Sequence, residues 1–302
     1  MLNTVRADPL HRWPCKTSQL FAFATHFEQE SIMKKLTLVS ALAALVASPA
    51  MAGLSFVNGG FENGNLDGWL FSSDSGSASY AALPAGSTSN PSSSNGGLSA
   101  ALVGFGVDAH TGINTTYGGS YAARVGDDLA WGYSGGGTIY NRMKQTGAVV
   151  AEADGSVGFV YFAWAAIEKE SGHSTTATPF FQVKLTNDTQ GGPPIYDVSH
   201  YETDGGAWTD VGFWKHSTNG NPLDPTGWNV VGIDLTGLAV VGDMLTLEVI
   251  ARDCTPSAHA MYVYVDGFGG KPPVQGVPEP ATLAMLGLGL VGLAATRRRK
   301  SA

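Results

Sequence analysis

Charge is scarce in this chain. Asp, Glu, Lys and Arg make up 14% of 302 residues, against about 25% in an ordinary globular protein. The shortage falls hardest on cations: residues 53–270 hold seven Lys or Arg and twenty-one Asp or Glu, a net of −14. A body so poor in Lys and Arg excludes nucleic acid as a partner, because phosphate recognition needs clustered basic side chains. It leaves room for a cation or a neutral polysaccharide. Cysteine is scarcer still, with Cys15 and Cys254 only. Without Cys15 in the mature chain no intrachain disulfide can form, and Cys254 reads as a small buried apolar residue. There is no H-E-x-x-H, no phosphate-binding P-loop and no Cys-x-x-Cys pair, which removes the commonest zinc and nucleotide motifs. No period of 20–50 residues marks a repeat array, and no long amphipathic helix pattern stands between the two ends.

What is present points to β structure. Gly is 40 of 302 residues, roughly twice its usual share of about 7%. Apolar residues reach 43%, enough for a core. Residues 72–97, rich in Ser, Gly, Asn and Pro, read as a long loop with one strand near Tyr80. Strand-like runs then recur at 120–125, 138–144, 158–167, 179–185, 194–201, 228–235, 244–252 and 260–268. Short runs divided by Gly, Pro and Asn predict an all-β antiparallel sandwich of the jelly-roll type over residues 53–270, as one domain. A linker at 271–276 follows.

The two ends read as addresses. From Met33, "MKKLTLVSALAALVASPAMA" has a basic start (Lys34, Lys35), an apolar stretch and an A-x-A pattern at Ala50 and Ala52. That is a secretory signal peptide, a short helix at residues 33–52 with cleavage expected after Ala52. Residues 1–32 match no targeting class, so translation is expected to start at Met33 and the preceding residues to be a spurious extension. At the other end, the run 281–296 carries no charge and would span about 24 Å as a helix. Arg297, Arg298, Arg299 and Lys300 follow it and would hold that end in the cytoplasm. These features alone fit either a short anchor or a sorting tail.

Val277, Pro278, Glu279 and Pro280 stand just before the apolar run. The combination, residues 277–302, resembles the PEP-CTERM sorting signal of Gram-negative bacteria. The resemblance implies export by the Sec machinery and recognition by an exosortase near the Pro-Glu-Pro motif. It further implies transient insertion in the inner membrane by a C-terminal hydrophobic helix, delivery to the cell surface or matrix, and a link to exopolysaccharide and biofilm. Pro278 and Pro280 keep the motif extended.

The body opens "VNGGFENGNLDGW" (57–69) and closes "YVYVDGFGG" (262–270). These segments resemble carbohydrate-binding-module-type, galactose-binding-like jelly rolls. The resemblance implies that the first and last strands lie side by side. It also implies a structural calcium where an opening carboxylate meets a closing Asp, here Glu62 and Asp266. Calcium needs several oxygen ligands, so backbone carbonyls would complete the shell; alternatively the two carboxylates satisfy turn amides. Asn63 to Gly68, with Asp74 at the twelfth position, loosely matches a calcium loop but lacks its first Asp and terminal Glu; it reads better as a turn, with Asp67 able to assist a calcium.

Residues 162–185 and 227–268 are similar to segments of uncharacterised bacterial surface proteins without known enzyme activity. The matching positions are Glu168, His173, Asp253, Cys254 and His259; Ala258 and Ala260 replace the usual glycines around the second His. Such a set either forms a metal site or pins loops by hydrogen bonds. Gly132 to Gly136 fits G-x-S-x-G, but a Gly-rich β region is the wrong context for a nucleophile elbow. Trp131, Tyr133, Trp208, Trp214 and Trp228 lie near loops and are candidate sugar platforms, or else core. The expectation is a non-catalytic exported protein of the cell surface or matrix, associated with exopolysaccharide. The alternatives are a dedicated carbohydrate-binding module and a polysaccharide hydrolase or lyase on the same scaffold.

Overall fold

The computed structural model describes residues 56–74, 79–91, 98–129, 140–172, 178–205, 207–218, 226–254 and 259–273. The extension, the signal segment with Ala50 and Ala52, and the sorting segment from Val277 through Pro280 to Lys300 lie outside the described residues, as do both terminal helices, His173, Trp131 and the G-x-S-x-G match.

Fourteen strands follow one another along the described chain: β1 (Leu70–Asp74), β2 (Ala81–Ala82), β3 (Ser89–Pro91), β4 (Leu98–Gly104), β5 (Tyr121–Gly126), β6 (Tyr140–Ala148), β7 (Phe159–Lys169), β8 (Phe180–Asn187), β9 (Tyr196–Tyr201), β10 (Trp208–Val211), β11 (Trp214–Ser217), β12 (Asn229–Asp234), β13 (Met244–Arg252) and β14 (Met261–Gly269). They build two sheets. One runs β2-β1-β6-β13-β8-β9; the other runs β10-β11-β7-β14-β5-β4-β3, with β12 also on β7. Every pairing between these strands is antiparallel. The eight predicted runs correspond to β5 to β9 and β12 to β14, with ends within two residues except that β6 runs on four residues past its expected end. Among the described residues no helix is long and apolar enough to cross a membrane.

The period-2 pattern explains the layers. In β8, Phe181, Val183 and Leu185 are buried while Phe180, Gln182 and Lys184 are only half so. Opposite them in β13 stand Ala251, Val249 and Leu247, so one face is continuously apolar. Strand β7 is buried on both faces. Val160, Phe162, Trp164 and Ala166 join the core between the sheets. Ala163, Ala165 and Ile167 face outward, into a second cluster with Ile113, Trp228, Tyr262 and Tyr264. The segment before β5 covers that outer face. It is latched by Asp108, whose Oδ2 accepts the hydroxyls of Tyr262 at 2.7 Å and Tyr264 at 2.9 Å. Its Oδ1 accepts the Thr111 amide and hydroxyl, both at 2.8 Å.

The opening segment corrects one expectation. The first strand, β1, pairs with β2 and β6, in the sheet that does not contain β14. What lies beside the end of β14 is the strandless stretch before β1: the Phe268 N–H donates to Gly59 O at 3.0 Å. Asn58 (φ 55°) and Phe61 (φ 59°) sit in the left-handed region and break the extended run. Gly59 permits the close approach, since a Cβ there would stand 1.8 Å from Phe268 O. The Phe56 ring packs on Phe268 at 3.8 Å, and Pro273 lies over Gly267. Both ends of the described body therefore leave from the same end of β14.

Candidate functional site: a cleft at an open sheet edge

Strand β9 is the edge of its sheet. Its register puts Tyr196, Val198 and His200 opposite Leu185, Val183 and Phe181, hence on the inner face. Those three partners on β8 are buried, yet Tyr196, Val198 and His200 are only half-buried. The sandwich is open along this side.

The reason lies across the gap. Two separate segments serve the edge of β7: β11 pairs with Ile167 to Lys169, and β12 pairs with Phe159 to Trp164. Ala165 and Ala166 fall between them. The Ala166 N–H donates to Ser217 Oγ at 3.0 Å, and that hydroxyl donates to Gly227 O at 2.9 Å. Asn229 Nδ2 also donates to Ser217 Oγ, at 3.3 Å. One serine thus replaces a missing ladder rung and ties both segments together.

Over this breach lies a cleft of about 380 Å³. Trp164 and Phe181 form its floor, Tyr196, Val198 and His200 one wall, and Ser217, Thr218 and Asn229 the other. The Trp164 indole N–H donates to the Tyr196 hydroxyl at 3.0 Å, joining floor to wall. Burial pushes the Tyr196 phenol up, so it remains a hydroxyl. His200 Nδ1 lies 3.4 Å from Asp204 Oδ2, and its ring tilts against Phe181 at 5.8 Å. Among the described residues no Lys, Arg, Asp or Glu lines the cleft.

The residues singled out in the sequence lie elsewhere. Glu62 and Asp266 flank the same stretch, residues 117–121. Glu62 accepts the Ser120 and Tyr121 amides at 2.9 and 3.0 Å. Asp266 accepts those of Tyr117 and Gly118 at 3.0 and 2.9 Å. N–H donors meet both carboxylates, a set that suits amide clamping better than the six to eight oxygens of a calcium shell. Asp67 accepts the Gly86 amide at 2.7 Å. Burial pushes Asp266 up to about 7 against the pull of those amides, and the nearby Glu62 charge adds to the rise.

Glu168, Asp253, Cys254 and His259 do gather at one end of the sandwich. Met261 pairs with Glu168 and donates its N–H to Asp253 Oδ1 at 3.0 Å. Cys254 is buried, with Sγ 3.2 Å from His259 Nδ1. Glu168 is 0% exposed, and among the described residues neither of its carboxyl oxygens has a hydrogen-bond partner. Burial, then the charge of Glu202, pushes it up to about 10. Glu202 itself accepts Lys215 Nζ and Ser171 Oγ, at 2.8 and 2.9 Å. Among the described residues no three His, Cys, Asp or Glu side chains converge as a metal site.

The described tryptophans among the candidate sugar platforms pack against other groups. Trp228 is 3% exposed and donates its indole N–H to Asn114 O at 2.9 Å. Trp214 stacks on His110 at 3.8 Å. Trp208 meets Phe181 edge-on and donates to Tyr201 O at 3.1 Å.

Residues 276–300 match the PEP-CTERM protein-sorting motif. No curated protein matches the chain. Among solved structures, the chain is similar to a carbohydrate-binding module of the β-sandwich superfamily described as promiscuous in specificity. That likeness has 12% identity and a TM-score of 0.32, covering 73% of this chain and 62% of the other, so the chain spans less than two thirds of that neighbour's length. It is also similar to CBM28, a module specific for non-crystalline cellulose, at 13% identity and a TM-score of 0.26, over 55% of this chain and 86% of that one.

Proposed function

We propose that this is an exported protein whose C-terminal segment is processed by an exosortase, leaving a non-catalytic jelly-roll body at the cell surface or in the extracellular matrix of a Gram-negative bacterium, in association with exopolysaccharide. The sorting motif at residues 276–300 carries the reading. It begins three residues after Pro273, the last described residue of the sandwich. The apolar run would hold the chain in the membrane while the Pro-Glu-Pro segment stays outside it, within reach of a membrane-bound protease. Glu168 is sealed from solvent, which takes that one carboxyl out of the candidates for a general acid. A general acid must reach its substrate.

The test has two arms. Replacing Val277, Pro278, Glu279 and Pro280 with Ala in the producing organism is expected to leave the protein uncleaved in the membrane fraction; unchanged surface delivery would refute exosortase sorting. Purified full chain is then incubated with the organism's own exopolysaccharide, with calcium or with chelator. Saturable retention is expected, and loss under chelator would establish a role for calcium. Polysaccharide turnover abolished by a single carboxylate or His substitution would replace this reading with an enzymatic one.

A further inference from the structure

We infer that the edge cleft binds a sugar ring of a neutral polysaccharide. The inference rests on the matrix reading above and gives it a location.

The cleft volume, about 380 Å³, falls within the roughly 300–1,000 Å³ typical of small-ligand sites. Its opening is built into the fold. Two strand ends meet over Ala165 and Ala166 instead of one continuous edge strand, so among the described residues no strand extends across the inner face of β9. Ser217 stabilises the gap by taking the orphaned Ala166 N–H.

The lining selects the ligand class. Phe181 and Val198 supply apolar surface, against which the C–H face of a sugar ring packs. Three polar functions have no protein partner among the described residues: the Tyr196 hydroxyl proton, Asn229 Oδ1 and His200 Nε2. Tyr196 already accepts the Trp164 N–H, which directs its own proton elsewhere. A donor, an acceptor and a group able to act as either match vicinal hydroxyls, each of which both donates and accepts. Among the described residues no Lys or Arg lines the cleft to hold a carboxylate or sulfate, and the −14 body repels polyanions. The Trp164–Tyr196 bond and the Ser217 bridge fix both walls, so little ordering is needed on binding.

The experiment titrates the full chain, in mild detergent, with cellohexaose, xylohexaose and mannohexaose as neutral probes, with oligogalacturonate as an anionic probe, and with the organism's own exopolysaccharide. Tyr196→Phe and Asn229→Ala are compared with Phe213→Ala, a control whose residue is 79% exposed outside the cleft. Circular dichroism checks that each variant folds, and Tyr196→Phe keeps the ring in place. Saturable binding of a neutral probe is expected, weakened about fivefold or more by each cleft variant and within twofold of wild type in the control. Glycan binding that both cleft variants retain would overturn the cleft and leave the matrix reading standing. Binding of oligogalacturonate as tight as the neutral probes would overturn the ligand class. Failure of every neutral probe and of the native polysaccharide would overturn the cleft and direct glycan binding together, while the sorting reading is decided separately by the motif variant.

Discussion

Asp108 and Glu168 are both carboxyls withdrawn from water, one with a full set of partners and the other with none. Burial opposes the charge on Asp108, but the hydroxyls of Tyr262, Thr111 and Tyr264 and the Thr111 amide hold it below the ordinary carboxylate value. Replacing it with Asn puts amide hydrogens against the two tyrosine hydroxyls that donated to it. Asp108→Asn is expected to cost about 1–3 kcal/mol, read from urea unfolding, and to loosen the segment over the outer face of β14. A loss under about 0.5 kcal/mol would show that the latch is not needed. Glu168 behaves oppositely. Its folded value of about 10 lies far above an unfolded value of about 4.3. The native state therefore holds a proton that the unfolded chain releases, and stability falls as pH rises between those values. Glu168→Gln removes that liability without changing shape. It is expected to raise Tm, with an increment that grows from pH 5 to pH 9; a constant or negative increment would contradict a protonated Glu168.

At the scale of elements, the junction of β11, β12 and β7 is the unusual feature. Ser217→Ala leaves the Ala166 N–H and Gly227 carbonyl without their bridge. The expected loss is about 1–3 kcal/mol, with Ala166 amide exchange accelerated relative to that of Val263 on neighbouring β14. Equal protection at both amides would mean that another group seals the breach. This junction was not legible in the sequence. The runs that became β5 to β9 and β12 to β14 declare themselves by β-branched and aromatic residues in alternation. Strand β4 (Leu98–Gly104) is Ala- and Ser-rich, and β10 and β11 have four residues each, too short for a period to show. They exist because neighbours hold them, which tertiary context allows and local propensity does not announce. The cleft is hidden for the same reason: Trp164, Tyr196 and Asn229 come from three strands far apart in the chain, and only register brings them together. Trp208, Trp214 and Trp228 were conspicuous near loops but pack against neighbouring rings. The cluster of Glu168, Asp253, Cys254 and His259 was legible as a set because a hairpin and one cross-strand pair suffice to join it.

For the whole molecule, the buried acids set the pH at which it is most stable. Glu168 is raised to about 10, Asp253 to about 8 and Asp266 to about 7, in each case chiefly by burial. Asp108 and Glu248 are lowered: burial opposes their charge, but hydroxyl partners outweigh it, together with Lys184 at Glu248. From about pH 4 upward, the three raised groups bind protons natively that the unfolded chain has lost, so stability declines through pH 7 and beyond. Asp154, Asp234 and Asp243 are lowered as well, by hydrogen bonds from neighbouring groups, and below about pH 4 the lowered groups must take up protons and their contribution is lost. Tm measured from pH 3 to pH 9 is expected to peak at about pH 4–5; a maximum at pH 8 or above would refute the burial of these carboxyls. The legible part of the whole was its class and its address. An acidic, Gly-rich chain of short apolar runs allows little but a sandwich, and the sorting signal is local enough to be read without a fold.

Strand β14 is the last strand of the body and also the middle of its sheet, flanked by β7 and β5. A tail fixed in a membrane or joined to another molecule would therefore pull along the axis of the most enclosed strand, from the end where Phe56 and Gly59 pack. The lateral hydrogen bonds to both neighbours lie across that pull and are loaded together, in shear. An edge strand at this position would peel, breaking one rung at a time. Tension applied through that end would thus become a load shared by the whole core, which is the consequence of placing the last described strand at the centre of its sheet.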